Sequence, residues 1–157
     1  MESVISGGYT FNMSTNPILK AIFRGMLSIF VWFYKRTDGR FGGQVQGLPV
    51  LLLTTTGRKT GKKWTTPLGY LEHEGSYVVI ASYAGADVHP AWFHNLKSHP
   101  QVTVQVKEKQ LTAMAEEVDP TLRAKLWVEL VERAPGYGAY EKRTTRQIPL
   151  VLLRPVK

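Results

Sequence analysis

Hydrophobic positions follow two different periods along this 157-residue chain. From residue 18 to residue 34, ILKAIFRGMLSIFVWFY, they recur at helical spacing. Ile18, Ile22, Met26, Ile29 and Phe33 form one stripe, with Leu19, Phe23, Leu27 and Phe30 beside it. Lys20, Arg24 and Ser28 fall on the opposite side at i, i+4 spacing. Asn16 and Pro17 supply an N-cap and a first turn, and Thr37-Asp38-Gly39 a stop, so the pattern predicts an amphipathic helix over residues 16–36. The apolar stretch falls short of the roughly 20 residues that span a bilayer, and two cations interrupt it.

Beyond a Gly-rich linker, GRFGGQVQGLP, the period shortens. Alternation and β-branched runs predict strands over residues 50–55, 65–72, 77–82, 102–106, 111–117 and 149–154. His73-Glu74-Gly75-Ser76 joins the second and third as a hairpin, and residues 107–110 join the fourth and fifth. Two helices interrupt the strands. One covers residues 90–98 with Pro90 at its first position. The other starts with Asp119 as N-cap and Pro120 as first residue, buries Leu122, Leu126 and Leu130 beside Trp127 and Val131, and ends before Pro135-Gly136. A doubly wound sheet needs strict alternation of strand and helix, which is absent. The expected fold class is α+β, mainly β: a small barrel of six mostly antiparallel strands with helices at its edge. The chain divides into residues 1–44, the helix and linker, and residues 45–157, the barrel.

Composition narrows the chemistry. With 43% hydrophobic and 20% charged residues the chain is an ordinary globular protein with a real core. It has no cysteine, which rules out disulfides and thiolate metal ligands and gives no reason to expect an oxidising compartment. The default expectation is a cytoplasmic address. His89, His94 and His99 step by five and so face different sides of a helix, and no metal site is expected. The N-terminus opens with Glu2, lacks a basic start and offers no small-residue cleavage site, so no secretory signal is expected. The net charge of +8 is uneven: residues 1–63 carry nine Lys and Arg against Glu2 and Asp38, whereas residues 64–157 carry eleven against ten acidic residues.

The surplus peaks in LLLTTTGRKTGKKWTTPLGYL, residues 51–71, where Arg58, Lys59, Lys62 and Lys63 crowd one turn between two strands. A turn needs glycine where φ is positive and one or two polar residues, and four cations exceed that need. The turn is either a solvated tip that aids solubility or a seat for an anionic ligand. It is no P-loop, because Gly57 and Gly61 are only four apart, Lys62 is followed by Lys63, and a strand follows instead of a helix. Nucleic acid would need aromatic residues interleaved with cations over a broad surface or a helix lined with Arg and Lys. Trp64 alone neighbours the turn, and the helix after Asp119 carries mixed charge, so no nucleic-acid partner is expected.

Three segments in order, LLLTTTGRKTGKKWTTPLGY, ASYAGADVHPAWFHNLKSHPQVTVQV and APGYGAYEKRTTRQIPLVLLRP, resemble the deazaflavin-dependent nitroreductase family over about residues 40–155. The resemblance implies a split β-barrel, coenzyme F420 as cofactor in preference to FMN, and reduction of quinones, nitroaromatics or activated enones. It implies that Arg58 and Lys59 bind the cofactor's phosphodiester, with Lys62 and Lys63 near its glutamate tail. Position 64 commonly holds an arginine in relatives and here holds Trp64. The deazaflavin ring is expected against Thr66-Pro67-Leu68, Ala81-Ser82-Tyr83 and Ala91-Trp92. Tyr83 stands where some relatives have a lysine. Tyr137 and Tyr140, three apart on one helical turn, match tyrosines that line the substrate side, and a third tyrosine found near Ala134 in some relatives is missing.

The expected reaction is hydride transfer from reduced F420 to an electron-poor acceptor, with Tyr140 or Ser82 polarising the acceptor or delivering a proton. Two other readings stay open: a barrel that carries or senses a flavin-like ligand without turnover, and a basic nucleic-acid or lipid-binding module. The apolar stripe of residues 16–36 must be covered by the barrel, by a second subunit or by lipid. Peripheral contact with the inner face of the cell membrane and a homodimer are therefore both among the expectations.

Overall fold

The structure, a computed structural model, describes residues 17–157. Its elements are helix α1 (Pro17–Arg36), strands β1 (Gln44–Val45), β2 (Leu48–Thr56), β3 (Lys63–His73) and β4 (Ser76–Ile80), a 3-10 turn (Tyr83–Gly85), and helix α2 (Ala91–Ser98). Strands β5 (Gln101–Val106) and β6 (Lys109–Glu117), helices α3 (Pro120–Arg133) and α4 (Gly136–Arg143), and strand β7 (Leu150–Pro155) complete the chain. The six foreseen strands are present. Two-residue β1, paired with the start of β2, is too short to leave a periodic trace.

The sheet runs β1-β2-β3-β4-β7-β6-β5, and β5 returns to pair with β2 at Leu52–Thr54, which closes six antiparallel strands into a barrel. The strands read as apolar runs because both of their faces are covered. Leu51, Leu53, Tyr70, Val79, Val151 and Leu153 point into the barrel, where α2 plugs them with Trp92, Phe93 and Leu96. Their neighbours Leu71, Val78, Leu150 and Leu152 point outward and pack beneath Leu126, Trp127 and Leu130 of α3 and Tyr137 of α4. Val50 and Leu52 meet Tyr34, Phe30 and Val31 of α1.

Local signals set the helix ends. Asp119 caps α3, its Oδ1 accepting from the amides of Thr121 and Leu122 at 3.0 Å each. Pro90 is the N-cap of α2 instead of its first residue, because its ψ of 153° is extended. The expected cap of α1, Asn16, lies outside the described residues. That helix stops where Asp38 and Gly39 turn left-handed and the Gly39 amide bonds the Tyr34 carbonyl at 2.9 Å.

The orientation of α1 differs from what its amphipathicity suggests. Leu27, Val31 and Tyr34, on the same side as Arg24 and Ser28, face the barrel. The broader apolar stripe of Ile22, Met26, Ile29 and Phe33 is 40–63% exposed. The Tyr34 hydroxyl fixes this choice: wholly buried, it donates to the Val50 carbonyl at 2.7 Å and accepts from the Lys107 amide at 3.0 Å.

Candidate active site

The β2–β3 hairpin ends in a compact turn. Gly57 donates to the Lys62 carbonyl at 2.7 Å, and Gly61, at φ 69°, donates to the Gly57 carbonyl at 2.8 Å. Gly61 holds a backbone angle that side chains rarely adopt, which is why glycine stands there. Asn95 of α2 ties this turn to the body. Its buried amide accepts from the Arg58 N–H at 3.1 Å and donates to the Thr55 hydroxyl at 3.3 Å.

Between the turn, α2 and α1 lies a cleft of about 380 Å³ lined by Arg24, Leu27, Gly57, Arg58, Lys59, Thr60, Trp64, Thr65, Thr66, Ala91, Trp92 and Asn95. No ion pair to Arg24, Arg58, Lys59 or Lys63 occurs among the described residues, and Lys63 instead donates to the Thr56 hydroxyl at 2.6 Å. Unpaired cations grouped around a cleft suit an anion that brings its own charge. Trp92 is buried yet forms part of the lining, an apolar wall for a flat ring.

Of the residues singled out in the sequence, Arg58, Lys59, Thr66, Ala91 and Trp92 meet in this cleft. Lys63 lines an adjoining depression with Arg24 and Trp64, and Lys62 is exposed at the tip. Pro67 pairs with Leu52 of β2, in the part of β3 that precedes its pairing with β4. Leu68 and Ala81 share the cluster of Trp92. Ser82 is buried, whereas Tyr83 is 47% exposed.

A second group is built around the 3-10 turn that follows Ala81 and Ser82. Tyr83, Ala84 and Gly85 are all left-handed, with φ of 45°, 52° and 78°, a conformation costly for the first two. Arg146 holds it. Its guanidinium donates to the carbonyls of Ala81, Ser82 and Ala86 and to His89 Nδ1. Arginine has donors only, so Nδ1 must accept and His89 is neutral here. Burial, then the Arg146 charge, pulls the His89 pKa below its ordinary value. Helix α4 closes over this turn: a side chain at Gly85 would collide with the Tyr140 carbonyl. Tyr140 is half-buried, and its hydroxyl accepts from Gln46 Nε2 at 2.6 Å.

The neighbouring Tyr137 ring belongs to the outer core, 6% exposed, and burial pushes its pKa to about 12. Tyr137, Tyr140, Ser82 and Tyr83 all lie outside the lining of the cleft. Sequence reasoning missed Arg24, Asn95 and Arg146. Arg146 acts mainly through backbone carbonyls, and Asn95 through the Arg58 amide and the Thr55 hydroxyl, partners distant in sequence that leave no motif, and Arg24 reads as the solvent side of a helix.

A closed antiparallel barrel with a cationic hairpin cleft suits an anionic, ring-bearing ligand. Comparison with known proteins says which. Residues 26–155 match the model of the F420H(2)-dependent quinone reductase family. An F420H(2)-dependent quinone reductase of Mycobacterium tuberculosis is 40% identical over 124 residues, covering 76% of this chain and 83% of that protein. The solved F420-H2 dependent reductase FDR-A superposes with a TM-score of 0.62 at 39% identity, covering 68% of this chain and 94% of its own. A solved domain-swapped dimer superposes at 0.64 with 34% identity, covering 86% of this chain and 99% of its own. The chain belongs to the F420H(2)-dependent quinone reductase family. It is an oxidoreductase of the split β-barrel type, and coenzyme F420 is its cofactor.

Proposed function

We propose that the protein reduces a quinone with electrons from F420H2, holding the cofactor's anionic end at the β2–β3 hairpin and its ring near Thr66, Ala91 and Trp92. The observation that carries the reading is the cleft where unpaired Arg58 and Lys59 stand beside Trp92, with the turn locked by Asn95. Bound in reduced form, F420 supplies a hydride equivalent. The chain's own part is to orient the ring, to exclude water with Trp92 and Leu68, and to offer a proton near the acceptor. Tyr140 supplies that proton in this reading, because its hydroxyl keeps solvent access and is aligned by Gln46, whereas the Tyr137 phenol is buried and a weak acid. Mixing the protein with F420H2 and menadione tests it. Cofactor oxidation follows, and Tyr140→Phe slows it about tenfold or more while F420 affinity stays within about twofold. An equal loss of affinity would move Tyr140 to the cofactor side.

A second observation supports where the reaction occurs. Ile22, Met26, Ile29 and Phe33 form an exposed apolar stripe on α1, with exposed Trp32 beside it and Lys35 and Arg36 at the helix end. Such a helix suits the surface of an anionic membrane, where quinones dissolve, and each cation there adds about 1 kcal/mol. Cytoplasmic protein peripheral to the inner face of the cell membrane is the localisation this reading gives. The intact protein then sediments with anionic vesicles, and Met26→Glu with Ile29→Glu abolishes it. A chain that ignores vesicles and sediments as a dimer would put a second copy on the stripe.

A further inference from the structure

Helix α1 does more than face outward. Arg24 lies on its inner side, in line with Leu27 and Val31, and lines the same cleft as Arg58 and Lys59. Its guanidinium carbon sits 5.6 Å from the centroid of the Trp64 ring, which projects from β3 next to Lys63. Stacking holds the guanidinium over the ring while its N–H groups stay available, for among the described residues it has no carboxylate partner. Lys20, one turn earlier, shares this side of the helix and extends the line of charge. The same side also carries Ser28, whose hydroxyl donates to the Arg24 carbonyl at 2.9 Å. Position 24 falls just outside residues 26–155, the span that matches the family.

We infer that Arg24, stacked on Trp64, is a cofactor-binding residue for the anionic tail of F420, and that α1 is thereby one wall of the cofactor site. The inference rests on the cofactor reading above and adds a specificity to it. The phosphodiester and glutamates of F420 extend away from the ring, and the depression lined by Arg24, Lys63 and Trp64 adjoins the cleft, with which it shares Arg24, Leu27, Trp64 and Thr65. A tail seated there bridges hairpin and helix, so binding fastens α1 to the barrel. A ligand with the ring but without phosphate and tail leaves Arg24 unused. The Trp64 ring keeps the guanidinium in place while the cleft is empty, which spares part of the ordering cost on binding.

Fluorescence titration separates the outcomes. The intact protein and its Arg24→Ala, Arg24→Lys and Trp64→Ala variants are titrated at low salt with glutamylated F420 and with the phosphate-free deazaflavin riboside. Arg24→Ala weakens F420 binding by about fivefold to tenfold and leaves the riboside unchanged. Arg24→Lys recovers part of the loss, and Trp64→Ala, with every cation kept, loses affinity in the same selective way. Limited trypsin digestion gives a second readout, since saturating F420 slows cleavage after Lys20 and Arg24 in the wild type and the riboside does not. Unchanged F420 affinity in Arg24→Ala, or an equal loss for both ligands, overturns the inference. Failure of the wild type to bind F420 at all would instead overturn the cofactor reading on which it rests.

Discussion

Asn95 decides where the basic hairpin points, although it carries no charge. Its side chain meets the Arg58 amide and the Thr55 hydroxyl from a buried position on α2. Asn95→Ala leaves both groups without that partner, at a cost of about 1–2 kcal/mol, and frees the turn to move. The expected outcome is a lowered melting temperature together with weaker F420 binding, although no cation has been removed. Unaltered affinity in the destabilised variant would mean that the turn needs no such support. His89 is a second case of one residue holding a loop. Its folded pKa lies below the ordinary 6.5, so on acidification the unfolded chain takes up the proton first. The stability contributed by neutral His89 is complete above about pH 6.5 and is lost as pH falls through the lower folded value. Thermal melts between about pH 7.5 and about pH 5 should show a larger drop for the wild type than for His89→Gln, which has no such proton to take up. Equal drops would show that the Arg146 contact does not depend on the charge of His89. Neither residue is legible in the sequence, because their partners, Arg58 and Thr55 for Asn95 and Arg146 for His89, stand 37, 40 and 57 positions away and are brought close by the fold.

Elements were easier to read than their orientations. The cap at Asp119 followed by Pro120 is visible in the sequence because a side-chain oxygen and a fixed φ act within three residues of each other. Asp119→Ala should cost about 1 kcal/mol in a chemical melt, since the Thr121 and Leu122 amides lose their acceptor and no cleft residue is touched. A cost near zero would show that water caps the helix equally well. Helix α1 teaches the reverse. Its period announces two sides, yet the side carrying Arg24 turns inward, where Tyr34 is buried and its hydroxyl bonds the Val50 carbonyl and the Lys107 amide. The left-handed Tyr83 and Ala84 explain why the third strand ends at Ile80, short of Ser82. No local signal marks them, since neither is glycine.

At the scale of the whole molecule, the strands were legible one by one, and their closure was not. The pairing of Leu52–Thr54 with Thr103–Gln105 joins positions about 50 residues apart, and only the finished barrel specifies it. The site follows the same division. The cations of the hairpin announce an anion in the sequence, whereas the cleft exists only because α2, β3 and α1 converge there. The central claim is that this hairpin binds the anionic end of F420 in an enzyme that uses its electrons. Titration of F420 into Arg58→Ala/Lys59→Ala, followed by ligand fluorescence at low and at physiological salt, addresses that claim most directly. The expected result is a loss of about tenfold or more at low salt, a wild-type affinity that falls as charge is screened over about 10 Å, and a nearly unchanged melting temperature. Full affinity in the double variant at low salt would contradict it.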